Sequence, residues 1–111
     1  LLGVSKETLE KYSVVSRETA VEMARGVRTG AGSHISVSVT GVAGPGPSDS
    51  FPAGTAYIGY SFQNKEGAVE IRTGRDDRKW NRNYFVLRMF KVINEILDGK
   101  MDEKTDRGEN E

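Results

Sequence analysis

A chain of 111 residues with zero formal net charge and no cysteine has room for a single domain, and it excludes disulfides, thiol chemistry and Cys-based zinc sites. Its one histidine, His34, argues against a His-rich metal site or a Ser-His-Asp triad, so we expect no metal. No apolar run approaches the roughly 18 residues that span a bilayer. We therefore expect a cytoplasmic protein with no membrane partner, and the lack of cysteine is compatible with a reducing compartment.

The last stretch, residues 98–111, is predicted to be a disordered charged tail that follows the domain at residues 1–97. Its one apolar residue, Met101, stands among six acids and three bases, so the stretch cannot bury enough surface to offset its ordering entropy. The tail carries −3 and the domain therefore carries +3, an excess too small to favour nucleic acid as a partner. The chain opens without methionine, and we expect further residues upstream.

Two helices are predicted to come first. Ser5 can cap a short helix, and Ser16 can cap a second one whose apolar residues recur at helical spacing up to Arg28. Gly30 and Gly32 are predicted to end this second helix.

Three strands are predicted to follow. In residues 34–40, apolar side chains alternate with small hydroxyls, a pattern typical of an interior strand that is covered on both faces. Residues 55–62 form a second strand, residues 64–67 a hairpin turn, and residues 68–73 a third strand.

The final element is a long helix over residues 79–97, and the whole pattern indicates a sheet with helices packed on it. The predicted buried stripe of this helix consists of Val86, Met89, Phe90, Ile93, Ile96 and Leu97.

A loop rich in glycine and proline follows the first strand, where open α/β sheets place their ligands. It contains Gly41, Gly44, Pro45, Gly46 and Pro47. Its glycines allow backbone N–H groups to point at an anion, its prolines restrict its shape, and Thr40 would present a hydroxyl at its mouth. A plain strand-to-strand connection is the alternative. A phosphate-binding P-loop and a dinucleotide fingerprint do not fit, because no helix opens behind the loop.

Two arginines, Arg78 and Arg82, share one face at the start of the last helix. Cations are unfavourable at the positive end of a helix dipole, and like charges four residues apart repel each other. Asp76 and Asp77 can relieve part of this cost. The pair is therefore either a surface ion-pair cluster or an anion clamp for phosphate or carboxylate, and the residues alone do not decide between the two.

Three motifs in order carry a resemblance to a known family: residues 39–46 (Val-Thr-Gly-Val-Ala-Gly-Pro-Gly), residues 52–58, and Asp77-Arg78 with Arg82. Together they resemble the C-terminal domain of the CinA competence/damage-inducible proteins, the nicotinamide-nucleotide amidase family. The resemblance covers residues 1–97. It implies a three-layer α/β/α fold with a mixed sheet, and hydrolysis of nicotinamide mononucleotide to nicotinate mononucleotide and ammonia without a metal or organic cofactor.

The resemblance also implies roles for individual residues. Thr40 matches the active-site threonine, where it would hold the base or the amide by a hydrogen bond. Substrate contacts are implied for Gly41, Gly44, Pro45, Gly46, Arg78 and Arg82, with loop N–H groups stabilising negative charge and the arginines meeting the nucleotide phosphate.

The family's Ser-Cys-Thr-Gly-Gly motif, which carries the nucleophilic serine, has no counterpart in this sequence. Neither has its Tyr-Ser-Asn-x-x-Lys segment, which carries the lysine base. Two further readings therefore stay open beside the amidase: a non-catalytic nucleotide-binding or interaction domain, and an inactive fragment. The expected partner is a small nucleotide, and a homo-oligomer is compatible with the sequence.

Overall fold

Three strands and three helices build the part of the chain that this computed structural model describes, residues 4–48 and 51–100. In chain order these are α1 (Lys6–Tyr12), α2 (Arg17–Ala31), β1 (Ile35–Val42), β2 (Thr55–Phe62), β3 (Lys65–Arg72) and α3 (Arg78–Leu97). The sheet order is β1-β2-β3, and both pairings are antiparallel. Because α2 packs on one face of the sheet and α3 on the other, the predicted three-layer α/β/α arrangement is confirmed. The described strands show no parallel pairing, so this part of the sheet is not mixed.

Within these described ranges, no helix is both long and apolar enough to cross a membrane. No group of three or more His, Cys, Asp or Glu residues in the same ranges could hold a metal ion. Of the predicted charged tail, residues 101–111 lie outside the described part.

Both predicted helix caps are present. Ser5 Oγ accepts from the amide of Thr8 at 3.1 Å, and Ser16 Oγ accepts from the amide of Thr19 at 3.0 Å. The prediction that Gly30 ends α2 is wrong, because the helix continues through it to Ala31. Gly32 alone adopts the left-handed conformation, with φ 67°, and its amide closes the helix on a carbonyl of the last turn.

The sheet corrects two predicted boundaries. β1 begins after His34 and continues through Gly41 to Val42, two residues beyond its predicted end. The turn between β2 and β3 is Gln63–Asn64 rather than residues 64–67, so β3 begins at Lys65. Gln63 forms this tight turn with a positive φ of 52°, a conformation that glycine adopts most easily. Because the residue is not a glycine, the sequence pattern does not locate the turn.

One face of the sheet receives α2 through small residues. Ser38 Oγ donates to the carbonyl of Ala20 at 2.7 Å, and Ser36 Oγ donates to the carbonyl of Ala24. In the middle of this face, Gly59 lies directly beneath the Ala20 carbonyl. The hydroxyl side chains of β1 are therefore buried contacts with a helix, as the alternation predicted, although β1 is an edge strand among the described residues and not an interior one.

The opposite face carries the larger apolar core, formed with α3. Its buried members are Ala56, Ile58, Tyr60, Phe62, Val69, Ile71, Phe85, Val92 and Ile96. The predicted stripe of α3 is wrong in three positions, because Val86, Phe90 and Leu97 are exposed. The helix instead buries a neighbouring face that includes Asn81 and Arg88.

The short helix α1 is held on α2 by the carboxylate of Glu22. This carboxylate accepts from the amide of Ser5 at 2.9 Å and from the hydroxyl of Thr8. The hydrogen bond from the Thr8 side chain, followed by that from the Ser5 backbone, holds the pKa of Glu22 below its ordinary value of 4.5. A carboxyl with a lowered pKa in the folded state contributes stability that is present above the unfolded pKa and is lost as the pH falls through the folded one.

We therefore expect α1 to detach at acidic pH in a way that depends on Glu22. In Glu22→Gln the amide hydrogens of α1 should already exchange faster than in the unsubstituted protein at neutral pH. When the pH is lowered to about 3, the protection of these amides should change less in the variant than in the unsubstituted protein. Hydrogen exchange followed residue by residue measures this. Glu10→Gln, on the exposed side of α1, should keep the unsubstituted response, and an equal response in both variants would contradict the assignment.

Candidate functional site

The loop that follows β1 surrounds a cavity of about 320 Å³, which is lined by residues 41–48 and by Arg78. Gly44 and Gly46 have φ of 103° and 77°, so both need a residue without a side chain. A Cβ atom at Gly44 would also come within 2.7 Å of Asp76 Oδ1. The glycine spacing thus serves the shape of the loop, and we name this space the loop cavity.

Fewer backbone amides are left for a ligand than the sequence predicts. Pro45 has no N–H group, and the amide of Gly46 donates to Asp76 Oδ1 at 2.9 Å. Gly41 lies opposite Ala56 in the β1–β2 pairing, where an added Cβ would meet the Ala56 Cβ at 2.6 Å. The close packing of β1 against β2 therefore explains why position 41 is a glycine. One N–H donor of the loop is already bonded to a carboxylate of the protein.

Arg78 and Arg82 both line a second, larger cavity of about 630 Å³ between β1 and the start of α3, here called the arginine cavity. Its other lining residues are Val39, Lys79, Asn83, Phe85 and Val86. Three cationic side chains thus stand around apolar walls. Such a combination suits a ligand with an anionic group and an apolar or planar part.

Arg78 belongs to both cavities, and its NH1 donates to the carbonyl of Gly44 at 3.1 Å. Neither Arg78 nor Arg82 forms an ion pair with any residue in the described ranges. Asp77 is engaged as the N-cap of α3, accepting from the amide of Trp80 at 3.0 Å, and Asp76 holds the loop. The two arginines are therefore charges without a carboxylate partner in the described chain, which favours the anion clamp over the ion-pair cluster.

Asn81 connects the loop to α3, a role that was not predicted from the sequence. Its side chain is completely buried, its Nδ2 donates to the carbonyls of Ala43 at 2.9 Å and Arg75 at 2.8 Å, and its Oδ1 accepts from Thr73 Oγ1 at 2.7 Å. Both of its side-chain N–H hydrogens and one lone pair of its side-chain oxygen are thus used. The only signal in the sequence was a polar residue on the face of the helix that turns toward the sheet.

Thr40 does not lie with the arginines. Successive side chains of a strand point to opposite faces, so Val39 faces the arginine cavity and Thr40 faces the other side. The buried Thr40 hydroxyl donates to the carbonyl of Val14 at 2.7 Å, in the link between α1 and α2. The predicted position at the mouth of the loop is thus not the one observed, and the catalytic role of Thr40 stays a prediction.

The aromatic side chains near the site are engaged in packing. Trp80 stacks on Tyr84 with ring centroids 5.1 Å apart, and the guanidinium of Arg75 lies 4.0 Å from the Trp80 centroid. Tyr57 is buried on the α2 face against Phe51, and this burial raises the pKa of its phenol. The Trp80 ring thus lies between a guanidinium and another ring, so its faces are used in packing contacts.

Comparison with known proteins gives one family. The CinA C-terminal domain model matches residues 1–97. A putative competence-damage inducible protein of Clostridium acetobutylicum is 43% identical over 98 residues, which are 87% of this chain and 22% of that protein. A CinA-like protein of Kosmotoga olearia is 44% identical over 79 residues, which are 70% of this chain and 19% of that protein. The chain thus spans about a fifth of these curated relatives.

Solved structures give the same family. A competence/damage inducible protein from Agrobacterium tumefaciens has a TM-score of 0.76 at 34% identity, covering 83% of this chain and 57% of that one. The competence damage-inducible protein A from Klebsiella pneumoniae has a TM-score of 0.80 at 31% identity, covering 87% of this chain and 60% of that one. This chain therefore spans about three fifths of the length of these two solved chains.

Proposed function

Because this chain belongs to the CinA C-terminal domain family, we propose that it supplies the nucleotide-binding part of an amidase that acts on nicotinamide mononucleotide. In the overall reaction water adds to the carboxamide carbon, the C–N bond breaks, and nitrogen leaves as ammonia while nicotinate mononucleotide is formed. In the family resemblance a serine attacks first and a lysine acts as base, which gives an acyl intermediate that water then hydrolyses. The motifs that carry this serine and lysine have no counterpart in the present sequence.

The observation that carries the proposal is the position of Arg78 between two cavities. Arg78 lines the arginine cavity, and its guanidinium donates to a carbonyl of the loop. A nucleotide whose phosphate meets Arg78 and Arg82 would have the loop within reach of its remaining atoms. The apolar side of the arginine cavity, formed by Val39 and Phe85, would receive a planar ring.

A second candidate function is nucleotide binding without chemistry. The specific observation in its favour is that the Thr40 hydroxyl donates to the carbonyl of Val14 and lies on the other face of β1 from the arginine cavity. The two functions share the same binding step and differ in the release of ammonia. Ammonia released from nicotinamide mononucleotide by this chain, or by this chain combined with the rest of a CinA domain, supports the amidase. Binding without release in both cases supports the second candidate.

The binding step is tested by removing one charge. Arg78→Gln should weaken the binding of nicotinamide mononucleotide by about 10- to 100-fold, because a charge-assisted contact with phosphate is lost. Nicotinamide riboside lacks the phosphate, so its weaker binding should not change in this variant. Titration calorimetry measures both ligands.

Lys6→Gln is the matched control, since it removes the same charge from the exposed surface of α1. Equal effects of both substitutions would mean that Arg78 acts only through the net charge of the domain and not through a contact with the phosphate. Absence of nucleotide binding to the unsubstituted chain would favour the inactive fragment.

A further inference from the structure

A third cavity lies at the end of the sheet that is remote from the loop. Its volume is about 540 Å³, and it is bounded by the ends of α2 and α3 and by the turn between β2 and β3. Fourteen residues of α3 separate Arg82 in the arginine cavity from Ile96 in this one, which is about 21 Å at the rise of an α-helix. The two spaces are therefore separate, and we name the third one the hairpin cavity.

The lining of the hairpin cavity combines basic groups with apolar walls. Arg28, His34 and Lys65 supply the basic groups, and no acidic side chain is among the lining residues of the described chain. The other lining residues are Ile35, Phe62, Gln63, Ile96, Leu97 and Gly99. A cavity of this size and lining suits a small molecule that carries an anionic group on an apolar body.

Arg28 has no carboxylate partner in the described ranges, because its neighbour on α2 engages the carboxylate beside it. Arg25 binds Glu66 in a forked arrangement, with Nε 2.9 Å from Oε2 and NH2 2.8 Å from Oε1. The hydrogen bond from Arg25 is the main cause that lowers the pKa of Glu66, and the charge of Arg28 adds to this effect without a bond. Arg28 is thus the cation of this pair that is left for a ligand.

The guanidinium of Arg28 contains a buried donor that the described chain does not use. Its Nε is buried without a hydrogen-bond partner in the described ranges, and its NH1 lies 3.5 Å from Ser61 Oγ, at the outer limit of a hydrogen bond. The Ser33 hydroxyl is likewise buried without a partner in these ranges, and the Ser33 amide donates to the carbonyl of Arg28 at 3.1 Å. The dipole of α2 favours a cation in its last turn, which explains the charge of Arg28 but not an unused buried donor. Unused donors beside a cavity indicate a ligand.

We propose that the hairpin cavity is a second binding site, which takes a small organic anion. The carboxylate or phosphate group of this anion meets Arg28, and its apolar body packs on Phe62 and Ile96. A charge-assisted hydrogen bond to the buried Nε is stronger than one at the surface, because little water competes for the donor. The site shares no lining residue with the arginine cavity or the loop cavity, so it does not depend on the proposed function.

The test uses the complete 111-residue chain, with benzoate, phenyl phosphate and benzyl alcohol as probes. The first two carry different anionic groups on the same ring, and the alcohol carries no charge. Titration of the ¹⁵N-labelled chain should give saturable shifts at the amides of His34, Ile35, Gln63 and Lys65, with a Kd of about 5 mM or tighter for at least one anion. Benzyl alcohol should bind at least about tenfold more weakly than that anion. The anion that binds more tightly identifies the group that the site prefers.

Arg28→Met removes the charge and keeps most of the length of the side chain. This variant should bind the anion at least about tenfold more weakly, while its binding of benzyl alcohol should not change. Without ligand it should melt at or above the temperature of the unsubstituted protein, because an unpaired buried donor is replaced by apolar atoms. Lys6→Gln is the control for net charge, since it removes a charge from the exposed surface of α1, and it should keep the affinity for the anion.

Four results would overturn the proposal. Two of them concern the probes: a Kd weaker than about 5 mM for both anions, or equal affinity for the alcohol and the anions. A fall in Tm of more than about 5 °C in Arg28→Met without ligand would assign Arg28 to the stability of the fold. Shifts confined to Arg78 and Arg82 would assign the anion to the arginine cavity.

Discussion

Replacing Asn81 by aspartate is expected to lower the free energy of unfolding by about 3–5 kcal/mol at neutral pH. The two side chains have nearly the same shape, but the carboxylate has no N–H groups for the carbonyls of Ala43 and Arg75, which lie 2.9 and 2.8 Å from Asn81 Nδ2. The substitution therefore buries a charge against two acceptors. Thermal or urea unfolding at neutral pH measures the loss.

The same substitution two residues further along the helix is the control. Asn83 is exposed, so Asn83→Asp should change the stability by less than about 0.5 kcal/mol. Burial should raise the pKa of the new carboxyl in the folded state, and the penalty of Asn81→Asp should therefore shrink as the pH falls toward about 4. A stability within about 1 kcal/mol of the unsubstituted protein would show that Asn81 does not connect the loop to α3.

Replacing Gly59 by alanine is the second large effect, and it concerns the contact between the sheet and α2. A Cβ atom at Gly59 would stand 2.1 Å from the Ala20 carbonyl oxygen and 2.9 Å from the amide nitrogen of Val21. Backbone atoms cannot rotate aside as a side chain can, so α2 has to move away from β2. We expect a loss of about 2–3 kcal/mol, which corresponds to a fall in Tm of about 10 °C or more.

Gly30→Ala provides the opposite result in the same helix. No atom lies within 4 Å of a Cβ built at Gly30, and the residue is inside α2. Alanine there should stabilise the protein by about 0.5–1 kcal/mol through helix propensity. Scanning calorimetry of both variants would contradict the packing account if Gly59→Ala melted at or above the temperature of the unsubstituted protein.

Local chemistry made part of the fold predictable. The caps at Ser5 and Ser16 are hydrogen bonds to amides three residues ahead, so a short window of sequence contains both partners. The alternation in β1 likewise predicted that hydroxyl side chains would be buried. The exposure of apolar residues on α3 was not predictable in this way. Helical spacing identifies the apolar face of a helix, but it does not show which residues of that face the sheet covers.

The site residues also differ in whether local sequence predicts their positions. The spacing of Arg78 and Arg82 puts them on one face of a helix, and the residues around them then decide whether they pair with acids. Asn81 and Asp76 reach loop residues that are 38 and 30 positions away in sequence. Which polar side chain supports the loop therefore depends on how α3 crosses the end of β1. Thr40 was misplaced relative to the loop because β1 continues two residues further than predicted.

The central claim is that the loop and the two arginines form one binding site for an anionic nucleotide. Titration of the ¹⁵N-labelled chain with nicotinamide mononucleotide tests it most directly. The claim predicts that the amide signals of Ala43, Gly44 and Gly46 and the side-chain Nε signals of Arg78 and Arg82 shift together along one binding curve. Shifts confined to the separate cavity around His34 and Lys65, or no shifts at all, would contradict it.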